Sequence, residues 1–202
     1  MQSIYFVDSN FTYESSKKSI LSIRYATDGF SFCVHDETGK LVVFVHEPYA
    51  ADSREAAVAR LKNYVVNDAI LNLRFKKVYI MPCFKEKLLV PGAFFDKANI
   101  TTLYTVNQEV SPDDTILYHH IEGIEAYLVE TVISSFHDFV REHFPVFQIV
   151  NGAYPFILGA MGKALRDTEQ IFLDIQDNYF DLLFIRDSGI QLFNTFSYKA
   201  TT

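Results

Sequence analysis

Apolar and polar residues alternate along two stretches of the chain, and the two stretches are alike. When the chain is shifted by 150 positions, four pairs of residues coincide: Phe30 with Phe180, Phe32 with Leu182, Val34 with Phe184, and Gly39 with Gly189. Alternation with a period of two predicts β-strands with one buried face. Each stretch therefore predicts a three-stranded antiparallel meander, and the repetition predicts two related sheets.

Turn residues divide the first stretch into strands at residues 21–25, 29–35 and 41–46. Asp28-Gly29 is typical of a tight turn, and residues 36–39 predict a second, longer one. The second stretch, residues 172–196, predicts three strands with a Ser188-Gly189 turn. A further short edge strand is expected at residues 4–7.

Helical periodicity occupies the region between the two stretches. Residues 52–55 resemble a capping box, with Asp52 as the cap and Glu55 three residues later, and predict a helix over about 53–68. Its inner face would carry Ala57, Val58, Leu61 and Val65. Apolar positions from residue 132 to 140 follow one helical stripe that Pro145 ends. Residues 101–106 read as a strand. A helix over about 154–165 contains Gly159 and Gly162, which predict a close approach by another element. The order of elements predicts a mixed α/β protein.

Composition narrows the possible partners and location. The chain has 202 residues, ordinary globular composition and a net charge of −7, which disfavours binding to the phosphates of nucleic acid. No apolar run reaches the roughly 18 residues of a membrane span, and the amino terminus does not resemble a signal peptide. Cys33 and Cys83 form no CxxC pair, so we expect two buried thiols in a cytoplasmic protein.

The second stretch carries a resemblance to a known superfamily. Asp174-Ile175, followed by Phe180-Asp181-Leu182, resembles the second phosphate loop of the actin-like ATPases (ribonuclease H-like fold), such as actin, the Hsp70 chaperones and the pilus-assembly ATPase relatives. The first loop would lie at residues 24–29. More narrowly, the phrases at residues 21–24, 28–32 and 192–196 resemble a Bacteroides-type family of bacterial proteins with this fold and no known activity.

The resemblance implies a duplicated architecture. Residues 1–150 would form the first actin-like half, with an insertion at about 85–128. Residues 151–202 would form the connecting helix and the start of the second half. The family's second half continues with further strands and helices after its meander, so the resemblance implies a truncated second half here.

The resemblance also locates two phosphate loops, which the residues present do not favour. The vestigial loop residues would be Thr27, Asp28, Gly29, Asp174, Asp177 and Asn178. Phosphate loops need glycines so that backbone N–H groups reach the oxygens, but the second loop has Gln176, Asp177 and Asn178 in their place. At roughly 4 Å, the negative charge of Asp177 would repel a phosphate by about 1 kcal/mol in water and by several kcal/mol at an effective dielectric constant of about 20. The metal-organising aspartate of the first loop is matched by Arg24, which we expect to pair with Asp174 or Asp177.

We therefore predict a degenerate nucleotide site with no catalytic residue, no metal and no cofactor. The predicted function is a non-catalytic actin-like module in protein–protein interaction or assembly, with a protein partner bound at a sheet edge or in the interlobe cleft. The alternative is a divergent ATPase or phosphotransferase that uses ATP and Mg²⁺. A two-metal nuclease is disfavoured because Arg24 occupies the position of a required carboxylate. Zinc binding is disfavoured because His119 and His120 would point to opposite faces of a strand.

Overall fold

The fold is described from a computed structural model, which describes residues 2–199. Residue 1 and residues 200–202, the outer ends of the predicted domain ranges, lie outside the described residues. The chain divides into two compact units. The first contains the residues up to Phe84 together with Val132–Asn151, and the second contains Lys85–Thr131 together with the residues from Gly152 onward. Each unit is described by itself.

The secondary structure is mixed. In chain order, the strands are β1 (Ile4–Val7), β2 (Ile20–Ala26), β3 (Gly29–His35), β4 (Leu41–Pro48), β5 (Lys77–Pro82), β6 (Lys87–Pro91), β7 (Asp114–His120), β8 (Ala126–Ile133), β9 (Phe147–Ile149), β10 (Glu169–Ile175), β11 (Tyr179–Arg186) and β12 (Gly189–Ser197). The α-helices are α1 (Tyr13–Ser16), α2 (Arg54–Asn67), α3 (Ile100–Thr105), α4 (Ser134–His143) and α5 (Ala153–Lys163). Within residues 2–199 no helix is both long enough and apolar enough to cross a membrane.

The first unit is built on a six-stranded sheet in the order β1-β4-β3-β2-β5-β9. The predicted meander β2-β3-β4 is antiparallel, and the predicted edge strand β1 pairs with β4. Ile23, Phe32 and Val45 lie opposite one another across its three strands and are all buried. Strand β5 pairs with β2 in parallel, which requires a crossover connection, and α2 forms part of it.

Helix α2 confirms its prediction closely. Its buried residues are Ala57, Val58, Leu61 and Val65, the predicted inner face. The predicted cap at Asp52 is wrong: the cap is Ser53, whose hydroxyl accepts the Ala56 N–H at 3.1 Å. A side-chain acceptor at this position satisfies one of the otherwise unpaired N–H groups of the first turn.

The second unit contains two three-stranded sheets, ordered β6-β8-β7 and β10-β11-β12. Its larger core joins Leu128 of β8, Leu183 and Ile185 of β11, and Ile157 and Ala160 of α5. The meander β10-β11-β12 is the second predicted alternating stretch, and β11 begins 150 positions after β3. The observed strands confirm the alternation. The division into two duplicated halves at residue 150, with an insertion at about 85–128, stays a prediction.

Three other local predictions are wrong. Residues 101–106 lie mostly in helix α3, because Tyr104 is fully buried and its hydroxyl donates to Glu86 O at 2.9 Å, which anchors the segment. The helix predicted before Pro145 is confirmed as α4, with Phe136 and Val140 buried, but its predicted start is wrong, because Val132 and Ile133 end strand β8 and the helix begins at Ser134. Neither Gly159 nor Gly162 is approached closely, since a Cβ at either position would meet nothing within 4 Å.

Candidate phosphate loops and a buried charged cluster

The first candidate loop is the turn between β2 and β3, and its groups form an ion pair within the turn and hydrogen bonds to the segment after β4. Arg24 Nη1 lies 3.5 Å from Asp28 Oδ1, with both side chains largely withdrawn from solvent. The carbonyl of Asp28 accepts the Tyr49 N–H at 3.1 Å, and the carbonyl of Thr27 accepts the Ala51 N–H at 2.8 Å. The turn therefore anchors the chain that leaves β4.

Gly29 is required in this turn by the neighbouring strand. Its φ is +147°, and a Cβ would lie 2.7 Å from Glu47 O and 3.0 Å from Pro48 Cα. Real Cβ atoms do not approach backbone that closely, and L-residues rarely adopt this φ. The glycine is thus explained by the packing of β4 against the turn.

The second candidate loop, between β10 and β11, is closed by its own hydrogen bonds. The Gln176 N–H donates to Tyr179 O at 2.9 Å, and Gln176 Nε2 donates to Asp174 Oδ1 at 3.0 Å. The Tyr198 hydroxyl donates to Gln176 O, and the Tyr198 N–H donates to Asn178 O at 3.0 Å. The backbone and side-chain N–H groups of Gln176, which could donate to a phosphate, are therefore already paired.

The structure brings the predicted loop residues together in two separate turns. Thr27, Asp28 and Gly29 share the β2-β3 turn of the first unit, whereas Asp174, Asp177 and Asn178 lie in or beside the β10-β11 turn of the second. Arg24 contacts Asp28 within its own turn. Its predicted pairing with Asp174 or Asp177 would join the two units and stays a prediction.

The second unit contains a buried charged cluster that the sequence did not predict. Lys87 Nζ lies 2.9 Å from Asp181 Oδ1, and the two side chains are only 1% and 2% exposed. The Thr195 hydroxyl donates to Asp181 Oδ1 at 2.6 Å. The ammonium of Lys87 also lies 4.8 Å from the centre of the Tyr179 ring, a favourable cation–π distance.

Strand geometry positions this cluster. Asp181 occupies the inward-facing phase of β11, between the buried residues Tyr179 and Leu183. Lys87 begins β6 and lies opposite Glu130 of β8, which is 1% exposed. A charged residue in the inward phase of an alternating strand is the signal that would have identified Asp181, since charges are rarely buried unless paired.

Burial controls the electrostatics of the cluster. Desolvation raises the pKa of the Asp181 carboxyl above its ordinary value, while the Lys87 ammonium and the Thr195 hydroxyl oppose that rise. Burial also lowers the pKa of His119, whose Nε2 lies 3.7 Å from Glu130 Oε1, which favours the neutral imidazole. Among residues 2–199 no group of three or more His, Cys, Asp or Glu side chains could hold a metal ion.

The family can be assigned from the sequence. The profile of the family described as "Protein of unknown function (DUF3822)" matches residues 8–202. The chain belongs to this family. No curated protein sequence matches it significantly.

Solved structures show the fold of this DUF3822 chain. A Bacteroides thetaiotaomicron protein with an actin-like ATPase fold and unknown function is similar, with a TM-score of 0.86 and 22% identity over 94% of this chain and 74% of that one. The PilM–PilN type IV pilus biogenesis complex gives a TM-score of 0.52 and 13% identity, over 88% of this chain and 61% of that one. An exopolyphosphatase from Cytophaga hutchinsonii has a TM-score of 0.44 and 12% identity, over 89% of this chain and 50% of that one. The predicted actin-like ATPase fold and the resemblance to a Bacteroides-type family are confirmed.

Proposed function

We propose that this chain is a cytoplasmic, non-catalytic actin-like module with degenerate phosphate loops, which acts in protein–protein interaction or assembly. The β10-β11 turn is the observation that carries the proposal. Its glycine positions hold Gln176, Asp177 and Asn178, and the hydrogen bonds of Gln176 and Asn178 to Tyr179, Tyr198 and Asp174 occupy the turn. Cys33 and Cys83 are not joined by a disulfide, which fits a reducing compartment.

The charged residues of the first loop also support the proposed loss of nucleotide binding. An arginine stands where the superfamily has the aspartate that organises the metal ion, and Arg24 lies against Asp28. An ion pair within the turn neutralises the carboxylate that a Mg²⁺ ion would need as a ligand or as a partner of its bound water. Binding of ATP and Mg²⁺ would therefore have to break the pair.

The interaction role is supported by the outer face of the β10-β11-β12 sheet. Its exposed apolar side chains are Ile171, Leu173, Ile175, Leu192 and Phe196, which are 38–67% exposed. The half-buried Phe180, Leu182 and Phe184 lie between them in register, and Asn194 is the polar residue of this face. A contiguous apolar surface of this kind is typical of protein interaction sites. The PilM–PilN complex is an assembly of a protein with a related fold.

Calorimetric titration with ATP and Mg²⁺ tests the loss of nucleotide binding. We expect no heat of binding, because the donors of Gln176 are paired and Asp177 repels phosphate. A variant with glycine at residues 176–178 serves as the matched comparison, since it restores the superfamily's loop composition at the same backbone position. Micromolar binding by the unmodified chain would contradict the proposal and favour a divergent ATPase or phosphotransferase.

Sedimentation velocity tests whether the apolar face supports assembly between copies. We expect association that increases with protein concentration and weakens in a Leu173→Ser variant, because Leu173 is 51% exposed at the centre of β10. A Val106→Ser variant is the matched control, since Val106 is 78% exposed and lies outside this sheet. A monomer at every concentration, or equal effects of both substitutions, would count against assembly through this face.

A further inference from the structure

A cavity of about 460 Å³ lies within the second unit, between strands β6 and β12 and the turn after α3. Its volume falls in the range of small-molecule sites, about 300–1,000 Å³. Lys85, Lys87, Asn107, Gln108, Asn194 and Ser197 supply its polar groups. It is separate from the two phosphate-loop turns, because none of residues 24–29 or 174–178 lines it.

The lining side chains carry positive charge and hydrogen-bond donors. Among the described residues that line the cavity there are two lysines and no carboxylate, although the whole chain has a net charge of −7. Asp181 is not one of the lining residues, but its carboxylate lies 2.9 Å from Lys87 Nζ and neutralises the charge of Lys87. The net positive charge of the cavity is therefore that of Lys85.

Lys85 is available to a ligand. Its side chain is 56% exposed, and its nearest acid is Glu86, with Nζ and Oε1 at the limiting distance of 4.0 Å. An exposed ion pair at that distance contributes little. The other acid of the region, Asp181, is held by Lys87 and Thr195. A bound anion would thus compete with one weak contact.

The remaining donors lie on β12 and on the turn after α3. In the described part of the chain, the side chains of Gln108 and Ser197 make no hydrogen bond to protein. Leu88 and Phe193 provide apolar contact within the same cavity. Donors of this kind, with one net cation, suit an anionic group joined to a short hydroxylated carbon chain.

We infer that the cavity between β6, β12 and the turn after α3 binds a small hydroxylated organic anion, either a phosphate ester or a carboxylate. The anionic group lies at Lys85, and the amide of Gln108 and the hydroxyl of Ser197 contact the rest of the ligand. Lys87 and Thr195 also line the cavity, and both contact the buried Asp181. This site is independent of the proposed interaction role.

Titration followed by NMR of the ¹⁵N-labelled full chain tests the inference. The probes are glycerol 3-phosphate and glycerate, with glycerol as the uncharged control. We expect the side-chain amide signals of Asn107 and Gln108 to shift with either anion and not with glycerol. A response to one anion only identifies the preferred group. No shift with either anion, or an equal shift with glycerol, would overturn the inference.

Two lysine variants locate the charge that binds. Lys85→Gln should weaken binding about ten- to hundredfold, as expected for the loss of one charge-assisted hydrogen bond. Lys76→Gln removes the same charge from an exposed lysine of the first unit and should leave binding unchanged. Equal weakening by both variants would show attraction to overall charge and overturn the site. Inorganic phosphate binding as tightly as glycerol 3-phosphate would overturn the role of the hydroxylated chain.

Discussion

Removing the buried ammonium of Lys87 should destabilise the protein far more than removing an exposed lysine. The Lys87→Met substitution keeps an unbranched side chain that is shorter by one atom, and deletes its charge. Asp181 would then lose its partner at 2.9 Å while remaining 2% exposed, and Glu130, opposite Lys87 in register, would remain buried as well. Breaking a buried pair by removing one partner costs about 3–5 kcal/mol.

That cost is a large part of the stability expected for a domain, about 5–15 kcal/mol in total. Two compensations limit it. The Thr195 hydroxyl continues to donate to Asp181, and the carboxyl can take up a proton, since burial already raises its pKa. The cost of Lys87→Met should therefore be greatest at neutral pH and smaller in acid.

Urea unfolding followed by circular dichroism provides the measurement, with hydrogen exchange at the amides of β11 to report on the second unit. Lys76→Met is the matched control and should change the free energy of unfolding by less than about 0.5 kcal/mol, as for exposed positions generally. The double variant Lys87→Met/Asp181→Leu should recover part of the loss, because it removes the uncompensated carboxylate. A cost below about 1 kcal/mol for Lys87→Met, or no recovery in the double variant, would refute the reasoning.

Three further predictions follow from particular positions. Gly29→Ala should destabilise the protein by at least about 1–3 kcal/mol in urea unfolding, because its Cβ would lie 2.7 Å from Glu47 O at φ +147°. Gly159→Ala should stabilise it by about 1 kcal/mol, since this glycine lies inside α5 with nothing within 4 Å of a Cβ. The raised pKa of Asp181 means that the folded state holds this proton more tightly than the unfolded chain does. Its contribution to stability is therefore lost as pH rises from about 3.8 through the raised pKa, and the stability of wild type relative to Asp181→Asn should fall over that window.

Each of these three predictions would be contradicted by a specific result. A neutral Gly29→Ala would mean that β4 does not lie against the turn as described. Destabilisation by Gly159→Ala would indicate that another surface approaches α5, as the sequence predicted. A wild type that gains stability relative to Asp181→Asn with rising pH would show a lowered pKa, and hence an ion pair with Lys87 that outweighs burial.

Local pattern was sufficient for much of the fold. The strands of both meanders follow the alternation of apolar residues, because successive side chains of a strand point to opposite faces. Helix α2 follows from the spacing of Ala57, Leu61 and Val65, although its cap is Ser53 and not the predicted Asp52. The chemistry of the β10-β11 turn could also be predicted from the sequence, because the three residues that replace glycine are consecutive in the chain.

Predictions failed where contacts from elsewhere in the chain outweigh local preference. Residues 100–105 are helical although their β-branched content suggested a strand, because Tyr104 is buried against Val90 and Val129. The stripe from Val132 to Val140 is interrupted because β8 extends to Ile133. The helix glycines of α5 meet no neighbour that would account for them.

The sequence by itself determined the two alternating meanders, the amphipathic α2 and the chemistry of the candidate phosphate loops, because each depends on residues close together in the chain. Only the tertiary structure decided the Lys87–Asp181–Thr195 cluster and the cavity above it. These residues come from β6, β11 and β12, and their contact depends on how two sheets face each other. No local period encodes that packing, and so the sequence alone does not show that Lys87, a residue type usually exposed, lies in the core.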